Sequence, residues 1–140
     1  MKQELEILLW GRYPKIFGEH KLQERCMGWG FECGDGWFNL IDALCESLQF
    51  WTDQHQAPQV DADQVKEKWG ELRFYSRIAS AEQRGAIEMA RAMSFRLCEI
   101  CGKPGQALVS GAHLTRCPEH APQGSMTLEE FDSAVKTKRG

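Results

Sequence analysis

Two short ligand pairs near the C-terminal end restrict this chain more than any other feature: Cys98-Glu-Ile-Cys101, followed by Gly102, and Cys117-Pro-Glu-His120. Thiolates and imidazoles bind zinc tetrahedrally, and two ligands separated by two residues can take adjacent corners from one tight turn. Fifteen residues separate Cys101 from Cys117, within the range of paired-ligand zinc sites. A single CxxC also serves redox chemistry, but that use calls for a thioredoxin-like βαβ context that the surrounding sequence lacks. The spacing therefore predicts one structural Zn2+ held by Cys98, Cys101, Cys117 and His120, with disulfide or redox use as the alternative. Gly102 is expected to let the chain fold back so that its amide region faces the sulfurs. His113 is a rival for the fourth position, but it falls in a predicted hairpin, which favours His120.

Between the pairs, Ala107 to Arg116 reads as two short strands joined at Ser110-Gly111. Knuckle, hairpin and a second pair entering a helical turn at Pro118 is the order of a zinc-knuckle or treble-clef-like module. Four protein ligands leave zinc no position for an activated water, which argues against metal-dependent hydrolysis. A zinc deaminase would need an HxE sequence, which is absent, and an HNH nuclease would need a catalytic histidine for which His113 alone is placed. The expectation is a protein that is not an enzyme.

With 140 residues, 42% hydrophobic content and five tryptophans, the chain can bury one core with an appendage. The pattern predicts an α+β fold: a helix and β-hairpin core over 1–97, a zinc-binding module over 98–124 packed on it, and a short helix with a basic tail over 125–140. No apolar run approaches the roughly 18 residues that span a bilayer, and the first residues lack a secretory pattern. Metal spacing among the six cysteines then favours a reduced, cytoplasmic setting over a disulfide scaffold. A formal charge of −3 gives no global case for nucleic acid.

Locally, Leu5, Leu8 and Leu9 give a first helix over Glu4 to Trp10 that Gly11 and Pro14 stop, followed by a long loop from Tyr13 to Gly36. Asp35 is expected to N-cap the next helix, whose apolar stripe is Trp37, Leu40, Ile41, Leu44, Leu48 and Trp51. Gln64 to Lys68 and Glu71 to Ile78 alternate across Trp69-Gly70 as a β-hairpin, with Arg73 and Tyr75 pointing outward beside Lys66 and Lys68. Ser80 with Gln83, and Thr127 with Glu130, have capping-box spacing and start two further helices. Cys26, Cys33 and Cys45 have no ligand spacing and are expected as buried free thiols.

The blocks GFECGDGWFNLIDALCE, QVKEKWGELRFY and CEICGKPG with RCPEH, in this order over about Gly30 to His120, resemble a family of small phage and prophage proteins. The resemblance implies viral or prophage origin, action inside a bacterial cell and a zinc-binding end. It supplies no catalytic residue. The expected function is a non-enzymatic, zinc-stabilised module that binds a host protein, for example to inhibit a host or defence factor. Trp29, Phe31 and Trp37 are the candidate aromatic anchors where exposed, with core packing as their plainer use, and Arg73, Tyr75, Lys103 and Arg116 are candidate contacts. The alternative is a nucleic-acid-binding zinc module using Arg73, Tyr75, Arg96, Lys103 and Arg116, with a solvated mixed-sign face as the ordinary explanation of those charges.

Overall fold

The apolar stripe that begins at Trp37 organises the architecture. In the computed structural model, which describes residues 1–18 and 30–140, helix α3 (Phe38–His55) turns Ile41, Leu44, Cys45 and Leu48 inward at helical spacing, and all four are buried. Each buried aliphatic side chain of this size contributes about 1.5–3 kcal/mol before the opposing conformational entropy. Asp35 does not cap α3. It opens a single 3-10 turn, Asp35–Trp37, so the helix begins three residues later without a side-chain cap. The extra turn aims the Asp35 carboxylate at the N-terminal segment, where it accepts from the Lys2 amide at 2.7 Å.

Helix α1 (Gln3–Arg12) runs through Gly11, whose position leaves open space around it, and Pro14 then starts the one-turn helix α2 (Pro14–Phe17) at a site where a missing amide hydrogen is harmless. Leu9, Ile16, Phe17 and Phe31 complete this side of the core. Glu32 bridges the first strand alongside Lys66, so the described parts of the expected long loop carry structure of their own.

Strands β1 (Ala62–Lys68) and β2 (Glu71–Ser76) form the predicted antiparallel hairpin, with Val65 opposite Phe74 and Lys66 opposite Arg73. That register places Val65, Leu72 and Phe74 on one buried face. Trp69 and Gly70 adopt φ of 58° and 80°, the left-handed pair that a two-residue hairpin turn of type I′ demands. Trp69 therefore projects from the tip and is 63% exposed.

Helix α4 (Ala81–Ser94) starts at the predicted capping box and packs on α3 and β2. Gln83 is fully buried, and its Nε2 donates to the carbonyls of Leu48 (3.1 Å) and Pro58 (3.0 Å), which ties the start of α4 to the end of α3. A second sheet, ordered β4-β3-β5, contains the predicted hairpin β3 (Gln106–Ser110) and β4 (Ala112–Arg116) about Gly111, plus the short β5 (Met126–Thr127). Thr115 Oγ1, fully buried, donates to the Gly70 carbonyl at 2.6 Å and links the two sheets. Helix α5 (Leu128–Arg139) follows from the second capping box and buries none of its residues. The architecture is α+β, and among the described residues no helix is long and apolar enough to cross a membrane.

Candidate metal centre

The chain leaves α4 at Ser94 and folds into a tight knuckle. Leu97 bridges Pro104, Cys98 N–H donates to the Lys103 carbonyl at 2.8 Å, and Gly102 N–H closes the turn on the Cys98 carbonyl at 2.8 Å. Gly102 takes φ of 75°, the left-handed conformation its position requires. The second pair lies where β4 ends, on a turn closed by His120 N–H to the Cys117 carbonyl at 3.1 Å. The helix expected at Pro118 does not form there; the next one is α5, beginning at Leu128. The second pair is thus held by a turn and a strand end, not by the first turn of a helix, which departs from the treble-clef order.

Cys98, Cys101, Cys117 and His120 converge with all ligand atoms within 4.8 Å of one another. A zinc tetrahedron with metal–sulfur bonds of about 2.3 Å and metal–nitrogen bonds of about 2.05 Å has sulfur–sulfur edges of about 3.8 Å and sulfur–nitrogen edges of about 3.5 Å. The Cys101–Cys117 sulfurs are 3.7 Å apart, and His120 Nδ1 lies 3.3 Å from Cys117 Sγ and 3.7 Å from Cys98 Sγ. These edges fit a zinc ion coordinated through Nδ1, and they are far longer than a disulfide bond of about 2.05 Å. The donor set of three thiols and one imidazole is that of a structural zinc site, so the residues present fit one ion, most simply zinc.

Electrostatics point the same way. Burial opposes ionisation of Cys98, but the backbone amides of Cys117, Cys101 and Ile100 outweigh it and bring the thiol down to about 6. The sulfur-facing amides are these, and not that of Gly102 as expected from the sequence; Lys103 contributes the one that faces Cys101. Despite that amide, desolvation and the neighbouring Cys117 and Cys98 thiols drive Cys101 upward. A divalent cation placed among clustered thiolates offsets their mutual repulsion, which is the service a metal performs. Lys103 and Glu119, 3.0 Å apart on the surface, reinforce each other's charge through a direct hydrogen bond.

The knuckle sits directly on the Gly34-Asp35-Gly36 turn. Gly36 N–H donates to the Glu99 carbonyl at 2.8 Å, Gly34 N–H to Glu99 Oε1 at 2.9 Å, and Trp37 Nε1 to the Leu97 carbonyl at 2.9 Å. A Cβ on Gly34 or Gly36 would fall closer than 3.0 Å to backbone atoms of the knuckle. The glycines of CGDGW therefore serve close backbone approach, and the two sequence blocks are the two halves of one contact. Arg116 completes it by pairing with Glu99 at 3.1 Å.

No protein-family model, curated protein or solved structure matches this chain.

The other candidate residues separate into distinct environments. Phe31 and Trp37 are 2% and 0% exposed, so neither is a surface anchor; both are core, because Phe31 stacks edge-on against Phe17 and Trp37 is roofed by the knuckle. Trp29 and Cys26 lie outside the described residues. His113 packs between Trp69 and Phe131 at centroid distances of 5.7 and 6.4 Å, away from the ligand cluster. Arg73 pairs with Glu71, Arg116 with Glu99 and Lys103 with Glu119, so these nominated cations do not form one free basic surface. Tyr75 is exposed as expected, and Arg96 folds back on the Ala92 carbonyl. Cys33 and Cys45 are buried free thiols; burial pushes Cys33 up to about 12 and Cys45 higher.

Glu71 escaped the sequence reading. It is 3% exposed and carries ion pairs to both Arg73 and Arg91, the latter at 2.8 Å. Its place at the start of β2, directly after the Trp69-Gly70 turn, gives no local sign of burial; only the position of α4 explains it.

Proposed function

We propose that this chain is a non-enzymatic protein, stabilised by one structural zinc ion, that acts by binding a partner protein in the cytoplasm of a bacterial host, as the resemblance to phage and prophage proteins suggests. The donor set carries the reading: Cys98, Cys101, Cys117 and His120 would supply all four ligands of a tetrahedral ion and so leave no place for a reacting water. When bound, the ion neutralises the clustered thiolates and holds the knuckle together. Cys98 and Cys101 then present Glu99 to the Gly34–Gly36 turn, so that zinc occupancy and core packing reinforce each other.

Charge supports protein over nucleic acid. Phosphate backbones are bound by cations that release counterions, and Arg73, Arg116 and Lys103 each face a carboxylate already. Inhibition or redirection of a host or defence factor is the activity such binding would serve.

Metal analysis of purified, unoxidised protein tests the first half of the proposal, with one zinc per chain expected. Affinity capture from a bacterial lysate, with and without nuclease, tests the second. A stoichiometric protein partner should survive nuclease. Recovery of DNA or RNA, with partners lost on nuclease treatment, would overturn the reading, as would a chain free of stoichiometric metal.

A further inference from the structure

The first sheet leaves one edge of β2 open beside α4. Leu72 N–H points away from β1 and donates to Ser94 Oγ at 2.8 Å. On the far side of the hairpin, the Val65 carbonyl and the Glu67 amide point outward to Glu32. Antiparallel alternation, with Val65 opposite Phe74 and Glu67 opposite Leu72, therefore turns the Phe74 N–H and C=O to the same outer side as Leu72. Among the described residues the sheet has two strands, and nothing accepts from the Phe74 amide. An open strand edge is a template for pairing with another chain.

A cavity of about 370 Å3 lies along this edge, between β2 and α4. Phe74 and Ile87 contribute to its apolar wall. Three guanidinium groups, Arg73, Arg84 and Arg91, face it against the single carboxylate of Glu88. Buried Glu71 holds Arg73 and Arg91 in place from behind. The Arg84 side chain is exposed and has no ion-pair or hydrogen-bond partner among the described residues, so its charge is available to a ligand.

We propose that this groove receives an extended, acidic segment of the partner protein, which adds to β2 as a third strand through the Phe74 backbone and sets a carboxylate against Arg84. The inference rests on the partner-binding reading and names the partner's chemistry. Strand addition draws affinity from main-chain hydrogen bonds, while side chains on alternate positions meet the flanking wall and supply selectivity. Here the flanking wall is α4, and its contribution to selectivity is positive charge.

The test uses the isotopically labelled, zinc-loaded full chain titrated with a short peptide of alternating valine and glutamate. A lysine-for-glutamate version, inorganic phosphate and a short single-stranded DNA are the comparison probes. The acidic peptide should bind saturably and slow hydrogen exchange at the Phe74 amide. Arg84→Ala should weaken it about ten- to a hundredfold, the effect of removing a hydrogen bond to a charged group. Arg84→Lys should restore part of the loss, and thermal stability should change little, since the Arg84 side chain makes no hydrogen bond or ion pair among the described residues that either substitution would remove. Three results would each overturn the proposal: equal binding of the lysine peptide, binding without slowed exchange at Phe74, or affinity indifferent to Arg84→Ala. Equal perturbation of the same resonances by phosphate or DNA would do so too. A host protein captured equally by wild type and Arg84→Glu would remove the groove and leave the partner-binding reading standing, whereas nucleic acid captured in place of protein would remove both.

Discussion

Replacing Gly36 by alanine tests whether the knuckle is docked on the core. A Cβ at this position would fall closer than 3.0 Å to the Cys98 carbonyl oxygen, the Gly102 nitrogen and the Glu99 carbonyl carbon. All three are backbone atoms, so no rotamer change relieves the clash. Gly36 does not occupy the left-handed region, so alanine brings no conformational penalty of its own and the effect reports the contact alone. Overpacking of this kind costs about 1–3 kcal/mol, and displacing the 2.8 Å hydrogen bond from Gly36 to Glu99 adds about 1 kcal/mol. Gly36→Ala should therefore destabilise the zinc-loaded protein by about 2–4 kcal/mol and lower Tm by about 6–12 °C, at roughly 3 °C per kcal/mol for a chain of this size. The atoms that must move belong to the loop bearing Cys98 and Cys101, so part of the clash is relieved when the metal leaves. Each 1.4 kcal/mol of that relief appears as a tenfold loss of zinc affinity. Thermal unfolding by circular dichroism with and without a chelator, together with competition for zinc by a chromophoric chelator, reads both effects. Gly85→Ala is the internal control: it lies inside α4 with nothing within 4 Å of the added Cβ, and should stabilise by about 0.5–1 kcal/mol. If Gly36→Ala melts with wild type and holds zinc equally well, the knuckle does not dock on the Gly34–Gly36 turn and the account of both glycines fails.

Gln83→Ala removes the reciprocal cap on Ser80 and strips partners from the carbonyls of Leu48 and Pro58; urea denaturation should show a loss of about 2–4 kcal/mol, and a loss below 0.5 kcal/mol would contradict the network. Thr115→Val keeps the shape but deprives the buried Gly70 carbonyl of its donor, for an expected cost of about 1–3 kcal/mol by the same measurement. In the metal-free protein, amides from Cys117, Cys101 and Ile100 overcome burial and hold Cys98 at about 6, below its ordinary value of 9.0. Because the folded value is the lower one, the stabilisation from this thiolate is complete above about pH 9, declines as the pH falls, and is gone below about pH 6. A thiolate absorbance titration of chelated protein should show one group with a midpoint near 6 that Cys98→Ser abolishes; a midpoint in the ordinary thiol range would refute the amide cradle.

What could be read from the residues in order was whatever is settled within a turn or two of chain. Two-residue ligand spacing brought Cys98, Cys101, Cys117 and His120 into view because adjacent corners of a tetrahedron are reachable from a single turn. The capping boxes at Ser80 and Thr127 and the hairpin about Trp69-Gly70 were legible for the same reason, since each closes its own hydrogen bonds locally. Asp35 misled because its spacing suits a cap, whereas the carboxylate is claimed by Lys2 across 33 residues. Pro118 misled because a proline tolerated in a first helical turn does not by itself create one. Tertiary structure decided the rest. It buried Phe31 and Trp37 in the core, gathered Arg73 and Arg91 around Glu71, and set Gly34 against Glu99 at a separation of 65 residues. Backbone approach between distant segments depends on missing Cβ atoms meeting the right carbonyls, and ion pairing in a core depends on which helix arrives beside which strand. Neither is expressed in the order of neighbours along the chain, so only the packed molecule could reveal them.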